Sequence, residues 1–175
     1  DEIFIGTDTA ICSLAHNNYI RSGEYEEKFF IKDNIGYYCS GKLEIADKIR
    51  KHICISKYDL NQIVNYLKLI DIKYQLGDLD IELVIVTLSK CIHISKYNFE
   101  PIIYILNNKD DMYILSAGFK ATENWNKLYH NITIKESTQA IKDTITSSIC
   151  QEIGGKCKIY KLDKNGFELT IDVKI

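Results

Sequence analysis

The order in which strand-like and helix-like segments follow one another is the feature of this 175-residue sequence that most limits its fold. Alternating apolar residues predict strands, and apolar residues spaced three or four apart predict helices. The resulting order is strands, two helices, three strands, two helices and two strands. Such blocks fit two stacked sheets with helices on both outer faces. We therefore predict an α+β fold, a four-layer αββα sandwich of two antiparallel sheets, in a single domain that covers residues 1–175.

Two hairpins are predicted in the first block, before any helix. Their four strands are Asp1–Thr7, Thr9–Ala15, Glu27–Ile31 and Ile35–Gly41. A tight turn at Asp8 would join the first pair, and the polar turn residues 32–34 would join the second. The second hairpin then leads directly into the first helix.

Four helices are predicted from the spacing of their apolar residues. They cover about 42–54, 59–75, 122–129 and 134–152. The first two are expected on one side of the stacked sheets and the last two on the other. Ser40 and Asp59 are expected to cap the first two helices. Thr133 and Glu136 have the spacing of a capping box at the start of the fourth.

The remaining strands are predicted from β-branched residues and turn signals. Asp80–Ser89 is interpreted as a strand rather than a helix because it is short and rich in Val and Ile. Pro101–Leu106 and Asp111–Ser116 are expected to form a hairpin around an Asn-Asn-Lys-Asp turn. The last hairpin joins Lys156–Asp163 to Phe167–Ile175 through an Asn-Gly pair, which is a strong hairpin signal.

Charge and hydropathy argue against two classes of partner. The net charge is -2 and the pI is about 6.1, so the chain lacks the basic balance of a nucleic-acid-binding protein. No apolar run approaches the roughly 20 residues that a membrane-spanning helix needs. We therefore expect neither a nucleic acid nor a membrane among its partners.

The cysteines leave two interpretations open. They are Cys12, Cys39, Cys54, Cys91, Cys150 and Cys157. Most stand in apolar segments, where a free cysteine behaves as a small buried hydrophobe, and this favours reduced thiols. The even count and the glycosylation sequon at Asn131 would instead fit a secreted, disulfide-bonded domain. No CxxC pair occurs, so a zinc site is not expected.

The other titratable residues do not form a catalytic or metal-binding motif. The histidines are His16, His52, His93 and His130, and they have neither HExxH nor His-x-His spacing. Asp110 and Asp111 fall in a predicted turn and are interpreted as solvated turn residues, not as paired catalytic carboxylates. We expect no catalytic, metal-binding or cofactor-binding residues, and no cofactor.

Four stretches, taken in chain order, resemble the β subunits of the proteasome core particle. They are Ile35–Gly41 before the first helix, Tyr58–Asn61 at the second, Ala117–Gly118 before the third, and Leu162–Gly166 in the last hairpin. The set is most similar to the non-catalytic subunit at the fourth position of the β ring (beta type-2). The resemblance implies the N-terminal-nucleophile hydrolase fold, which is a four-layer αββα sandwich.

The resemblance also implies what the active members of the family need. Their nucleophile is a threonine at the start of the first strand, and its own free amine is the base. Asp1 or Glu2 stands at that place in this sequence. The family's supporting aspartate corresponds to His16 or Asn17, and its lysine corresponds to a position near Gly23. None of these positions carries the chemistry that the family uses.

Two internal threonines offer another possible nucleophile. Cleavage after Gly6 or Asp8 would make Thr7 or Thr9 the first residue, and Gly6-Thr7 is similar to the family's cleavage site. Such a cut would remove most of the first strand and leave backbone hydrogen bonds unmade. We therefore expect neither threonine to act as a nucleophile.

The function implied by the resemblance is that of a non-catalytic, structural β subunit, not an enzyme. It would complete the β ring and wall the chamber of a proteasome in the cytoplasm and nucleus, within ubiquitin-dependent degradation. Its partners would be the other α and β subunits in stacked seven-membered rings, and polypeptide substrates. An active threonine hydrolase of HslV type and a secreted disulfide-bonded domain are the alternatives. The third and sixth β positions stay open beside the fourth.

Overall fold

A computed structural model of the protein describes residues 2–15, 18–25, 28–74, 81–95, 99–106, 121–129, 136–149 and 153–175. The strands in these ranges are β1 (Ile3–Asp8), β2 (Ala10–Ala15), β3 (Asn18–Glu24), β4 (Phe29–Lys32), β5 (Ile35–Ser40), β6 (Glu82–Val86), β7 (Lys90–Ser95), β8 (Ile102–Ile105), β9 (Lys156–Asp163) and β10 (Gly166–Lys174). The helices are α1 (Leu43–Ile55), α2 (Leu60–Tyr74), α3 (Ala121–Tyr129) and α4 (Ser137–Ser147). The chain divides into two compact units, which are residues 1–27 with 108–175 and residues 28–107.

The first unit contains an antiparallel sheet in the order β1-β9-β10, with β9 in the centre. The side chains of Cys157, Ile159 and Leu162 on β9 are fully buried. Helix α4 packs so closely on β1 that a Cβ at Gly6 would lie 2.0 Å from Cγ2 of Ile141. Strands β2 and β3 form a separate antiparallel pair.

Helices α3 and α4 of the first unit are joined by polar contacts. The Asn124 side-chain amide donates to the backbone oxygen of Ser147 at 3.2 Å and to Oγ of Ser148 at 2.9 Å. At the other end of α3, the Tyr129 hydroxyl donates to Oδ2 of Asp143 at 2.8 Å. Burial and this neighbouring carboxylate raise the pKa of Tyr129 to about 12. The tyrosine therefore keeps its proton and remains a donor at neutral pH.

The second unit is an antiparallel meander of five strands, β4-β5-β6-β7-β8, each paired with the strand before it. Its core combines one face of the sheet with the apolar faces of α1 and α2. The helical part of this core is Ile45, Ala46, Ile49, Ile53, Ile63, Leu67 and Ile70. The sheet part includes Tyr37, Cys39, Leu83, Ile85, Ile92 and Ile94. Burial of these side chains is the main source of the unit's stability.

The turn between β4 and β5 is tied to the end of α1. Asp33 and Asn34 have φ values of 51° and 58°, the left-handed conformation that a two-residue hairpin turn requires. The ammonium group of Lys32 beside this turn donates to the backbone oxygen of Ile53 at 2.7 Å and to that of Ser56. It therefore satisfies carbonyl groups that the end of a helix leaves without partners.

Several predictions from the sequence are confirmed. All four helices are present, and the Asp59 side chain accepts from the Gln62 backbone N–H at 3.1 Å as a cap. The predicted strand over residues 80–89 is present as β6, and the last hairpin turns at residues 164–165. Helices α1 and α2 belong to the second unit, and α3 and α4 belong to the first. The stacking of the two larger sheets and the single domain remain predictions.

The predicted first hairpin is wrong. Strand β1 pairs with β9, and β2 pairs with β3, a strand that the sequence analysis did not predict. Apolar alternation identifies a strand but not its partner, which is decided by contacts far away in the sequence. Strand β7 was also missed, and β8 pairs with it. The predicted partner of β8, residues 111–116, and the turn at 107–110 lie outside the described residues.

Two predicted helix caps are also wrong. Helix α1 has Lys42 at its N-cap with no side-chain cap, because Ser40 still belongs to β5 and pairs with Glu82. Helix α4 has Glu136 itself at the N-cap, so Glu136 cannot complete a capping box three residues into the helix. This helix also ends at Ser147, earlier than predicted. Thr133 lies outside the described residues.

Candidate functional site

The start of the first strand is where the resemblance places a nucleophile, and a carboxylate is found there. Oε1 of Glu2 lies 2.6 Å from Nζ of Lys161, which also lies 3.6 Å from Oδ2 of Asp163. The hydrogen bond with Glu2 raises the pKa of Lys161. The backbone N–H of Asn165 is the main cause that lowers the pKa of Asp163. Both shifts favour the charged forms, so this is an ion-pair cluster. Asp1 lies outside the described residues.

Thr7 occupies a buried position inside β1. Its side chain is 5% exposed, and its hydroxyl donates to the backbone oxygen of Asp8 at 3.0 Å. The residue pairs with Lys158 of β9 in the sheet. Its nitrogen is a peptide nitrogen in a strand, so it has no free amine to act as a base.

Thr9 is fully buried, and its polar groups all have partners. Its hydroxyl donates to Oε2 of Glu24 at 3.0 Å and accepts from the backbone N–H of Lys156 at 2.8 Å. Its backbone N–H donates to the oxygen of Gly154 at 3.2 Å, and its backbone oxygen accepts from Tyr25 at 2.7 Å. A hydroxyl that is held in this way and closed to solvent cannot meet a substrate.

The residues around Thr9 pack closely against its side chain. Gly155 has a φ of +80°, and a Cβ on it would lie 2.5 Å from Oγ1 of Thr9. Oδ2 of Asp8 accepts from the backbone N–H groups of Ala10 at 3.1 Å and Gly154 at 3.0 Å. We name this set the Thr9 clamp, and its members are Asp8, Thr9, Glu24, Gly154, Gly155 and Lys156. The clamp joins the end of β1, the end of β3 and the start of β9, and its geometry indicates a structural role.

Lys158 is a buried cation that the sequence analysis did not identify. Its residue is 7% exposed, and its Nζ lies 3.9 Å from Oδ2 of Asp172 on the neighbouring strand β10. Thr7, Lys158 and Asp172 are thus the residue types that the resembling family uses, placed side by side across β1, β9 and β10. All three lie inside strands, and the threonine and lysine are closed to solvent. In the sequence, Lys158 alternates with the apolar residues Cys157 and Ile159, so the pattern assigns it to the polar face of β9 and gives no signal of its burial.

The other predicted family positions also lack the family's chemistry. Gly23 lies in β3 opposite Ile11, and a Cβ on it would meet nothing within 4 Å. A side chain would fit there, but glycine offers no ammonium group. His16 and Asn17 lie outside the described residues.

The described histidines lie in different elements and serve different contacts. The ring of His52 on α1 stacks on Tyr66 of α2. Nε2 of His93 on β7 lies 3.8 Å from Oε1 of Glu82, which is too far for a hydrogen bond. His130, Asp110 and Asp111 lie outside the described residues. Within the ranges that the structure describes, no three His, Cys, Asp or Glu residues form a group that could hold a metal ion.

Three of the four described cysteines are held as protonated thiols. Cys39, Cys54, Cys91 and Cys157 are free thiols. Burial raises the pKa of Cys39 to about 12 and that of Cys91 and Cys157 to about 11, so these thiols stay protonated at neutral pH. Cys54 is exposed, so the prediction of burial is wrong for this residue. The Cys12 side chain and Cys150 lie outside the described part. Four free thiols among six cysteines contradict an extensive disulfide framework.

The helices of the described ranges give no sign of a membrane segment, because none is both long enough and apolar enough to cross a bilayer.

Comparison with known proteins gives different results for sequence and structure. No family model and no curated protein sequence matches the chain. Among solved structures, Anbu (ancestral beta-subunit) from Yersinia bercovieri matches with a TM-score of 0.60 and 9% identity, over 95% of this chain and 81% of that one. Anbu from Hyphomicrobium sp. strain MC1 matches with a TM-score of 0.59 and 10% identity, over 98% and 82%.

A third solved structure that matches is a eukaryotic HslV. HslV from Trypanosoma brucei has a TM-score of 0.54 and 14% identity, over 92% of this chain and 93% of that one. Identities this low establish the fold and leave the activity open. The chain is therefore similar in fold to Anbu and HslV, which are proteasome-related subunits of the N-terminal-nucleophile hydrolase type.

Proposed function

We propose that this protein is a non-catalytic, structural β subunit of a proteasome-type core particle. It completes a β ring and forms part of the wall of the proteolytic chamber, and other subunits carry out the hydrolysis. The observation that carries the proposal is the state of Thr7 and Thr9 in a β-subunit-like fold. Both hydroxyls are buried and hydrogen-bonded within the protein.

The absence of catalysis follows from what a threonine hydrolase needs. The hydroxyl must face the substrate, and a free amine must stand beside it to take its proton. Freeing Thr9 as a chain end would cut the link from β1 to β2 and detach Asp8, whose carboxylate accepts from the N–H groups of Ala10 and Gly154. Freeing Thr7 would remove residues 3–6 of β1 from their ladder with β9. Either cut would dismantle the strand that should present the nucleophile.

Assembly with other subunits is supported by apolar side chains on the surface of the second unit. Ile55 at the end of α1 is 85% exposed, and Leu69 and Ile72 on α2 are 62% and 74% exposed. Single exposed apolar residues are common, but several on one helix pair favour a surface that a partner covers. Obligate interfaces are rich in such residues.

The finer parts of the proposal rest on the resemblance in the sequence. We place the protein at the fourth position of the β ring, with α and β subunits as partners and polypeptides as substrates of the whole particle. Its compartments would be the cytoplasm and the nucleus, within ubiquitin-dependent degradation. These statements are based on the resemblance to the family, and not on contacts between the described residues.

The experiment is native purification through a tagged copy of the full chain, followed by identification of the chains that purify with it. The expected result is a particle of hundreds of kilodaltons that contains several α- and β-type subunits. Recovery of a lone, well-behaved 20.2 kDa monomer from its own cells would contradict the proposal.

Catalysis is tested on the same particle with an epoxyketone inhibitor that labels N-terminal threonines covalently. Other chains should be labelled, and this one should not. The variants Thr7→Ala and Thr9→Ala should each leave the peptidase activities of the assembled particle unchanged. Labelling of this chain would favour the HslV-type hydrolase instead, a candidate that the similarity in fold to HslV supports.

A further inference from the structure

His52 forms part of the contact between α1 and α2. Its ring centroid lies 3.7 Å from that of Tyr66, and the two ring planes are inclined by 8°. His52 stands in the last turn of α1, and Tyr66 stands near the middle of α2. A parallel stack this close holds the two helices together only while both rings keep their present orientation.

The imidazole of His52 is unusual because its Nε2 atom is shielded from solvent. Nε2 of His52 is buried and has no hydrogen-bond partner among the described residues. A neutral imidazole can leave this nitrogen without a hydrogen, but a protonated one carries a hydrogen on both nitrogens. Protonation would therefore create a buried donor without an acceptor, which opposes the folded arrangement.

One effect acts in the other direction. A cationic imidazolium over the face of Tyr66 would be attracted by the ring. Burial lowers the pKa of His52 from its ordinary value of 6.5, because desolvation penalises the charged ring. Together with the unpartnered Nε2, this favours neutral His52 in the folded state.

No charge on the neighbouring elements shifts the pKa of His52. On α1, Glu44 pairs with Lys48, and Asp47 pairs with Arg50 and Lys51. The titratable groups of the other elements are Tyr66, Lys68, Asp71, Lys73 and Tyr74 on α2, Tyr37 on β5, and Lys32 and Asp33 at the turn after β4. Lys32 places its ammonium group at the oxygen of Ile53, the residue after His52. Burial is the one influence that moves the pKa of His52 within the described structure.

We propose that the stack of His52 on Tyr66 is an acid-sensitive latch that holds α1 against α2 and opens when His52 takes up a proton. The proton comes from water and binds Nε2, which then turns out of the stack to reach solvent. No covalent bond changes, and the latch closes again when the proton leaves. This inference does not depend on the proposed function, because it concerns the helix pair alone.

The sign of the effect follows from linkage. His52 has a lower pKa in the closed form than in the open form, so the closed form is fully favoured above about pH 6.5 and loses stability as the pH falls. Each unit of difference in pKa between the two forms corresponds to about a tenfold change in the opening equilibrium.

Hydrogen exchange of the full chain at about pH 7.5 and 5.5, corrected for the intrinsic rates, tests the latch. The variant His52→Phe keeps a stacked ring but cannot bind a proton. We expect amides of α1 and α2 to open more than about threefold more readily at the lower pH in the wild type, and by much less in the variant. Amides of β9 and β10 should respond equally in both proteins.

Equal acceleration of α1 and α2 in the wild type and in H52F would overturn the proposal, because other groups would then cause it. Titration of the His52 ring in the folded wild-type protein by NMR gives a second, direct test that needs no variant. A pKa at or above 6.5 for this ring would also overturn it.

Discussion

Two regions of this molecule achieve a fixed structure by different means. The Thr9 clamp in the first unit is built from polar groups, and its hydroxyl, carboxylates and backbone groups bond to one another. The core of the second unit is built from apolar side chains between two helices and a five-stranded meander. The comparison teaches that the first region depends on a few directed contacts and the second on summed burial. Substitutions should therefore have different effects in the two regions.

The largest expected effect is in the apolar core. Leu67 on α2 is 1% exposed, so Leu67→Ala should leave a cavity and lower the free energy of unfolding by about 2–5 kcal/mol. The matched control is Leu69→Ala on the same helix, where the side chain is 62% exposed and the change should stay within about 0.5 kcal/mol. Urea unfolding of the full chain measures both. Similar losses in the two variants would show that the summed-burial description of this unit is wrong.

The next effect tests the geometry of the Thr9 clamp. Gly155→Ala places a methyl group 2.5 Å from Oγ1 of Thr9 at a position with a φ of +80°. We expect a loss of about 2–3 kcal/mol, since strain in the left-handed region adds to the collision. The control is Gly23→Ala, where a Cβ meets nothing within 4 Å, and the variant should be as stable as the wild type or slightly more stable. Equal stability of Gly155→Ala and Gly23→Ala would remove the steric argument for the clamp.

A smaller effect isolates the hydrogen bonds of the same clamp. Thr9→Val keeps the shape of the side chain but removes the hydroxyl that donates to Glu24 and accepts from Lys156. The partly buried N–H of Lys156 would lose this acceptor, and we expect a loss of about 1–3 kcal/mol. Thr9→Ser keeps the hydroxyl and should recover most of that loss. If serine is no better than valine by thermal unfolding, the hydroxyl does not stabilise the junction.

The same contrast explains what the sequence could predict. Helix α2, whose buried residues are Ile63, Leu67 and Ile70, was predicted because helical spacing is a local property. The Thr9 clamp was not predicted, because its bond from Lys156 to Thr9 joins residues 147 positions apart. For the same reason β1 was assigned to the wrong partner, although its existence as a strand was predicted correctly. Local pattern identifies elements, and distant polar contacts decide how they pair.

Strand β3 and strand β7 were missed for two separate reasons. The described course of β3 includes Arg21, Gly23 and Glu24, residue types that lower strand propensity, so only its pairing with β2 makes it a strand. Strand β7 does alternate, with Ile92 and Ile94 buried, but Cys91 and His93 occupy the alternate positions. Such residues weaken an apolar pattern without preventing a strand.

The smallest expected effect is at Lys32. This residue makes directed polar contacts in the second unit, whose core is apolar, so it tests the difference between the two regions most directly. Its ammonium group bonds to the backbone oxygens of Ile53 and Ser56 and so ties the β4–β5 turn to the end of α1. Lys32→Met removes the donor but keeps an unbranched apolar chain of similar length, and the freed oxygens can turn to water near the surface. We therefore expect a loss of only about 1 kcal/mol, with earlier hydrogen exchange confined to the last turn of α1. The control is Lys51→Met on α1, where the side chain is 67% exposed and pairs with Asp47, so little change is expected. A loss at Lys32 as large as that of Leu67→Ala would mean that directed contacts specify this unit as well, and the distinction between the two regions would fail.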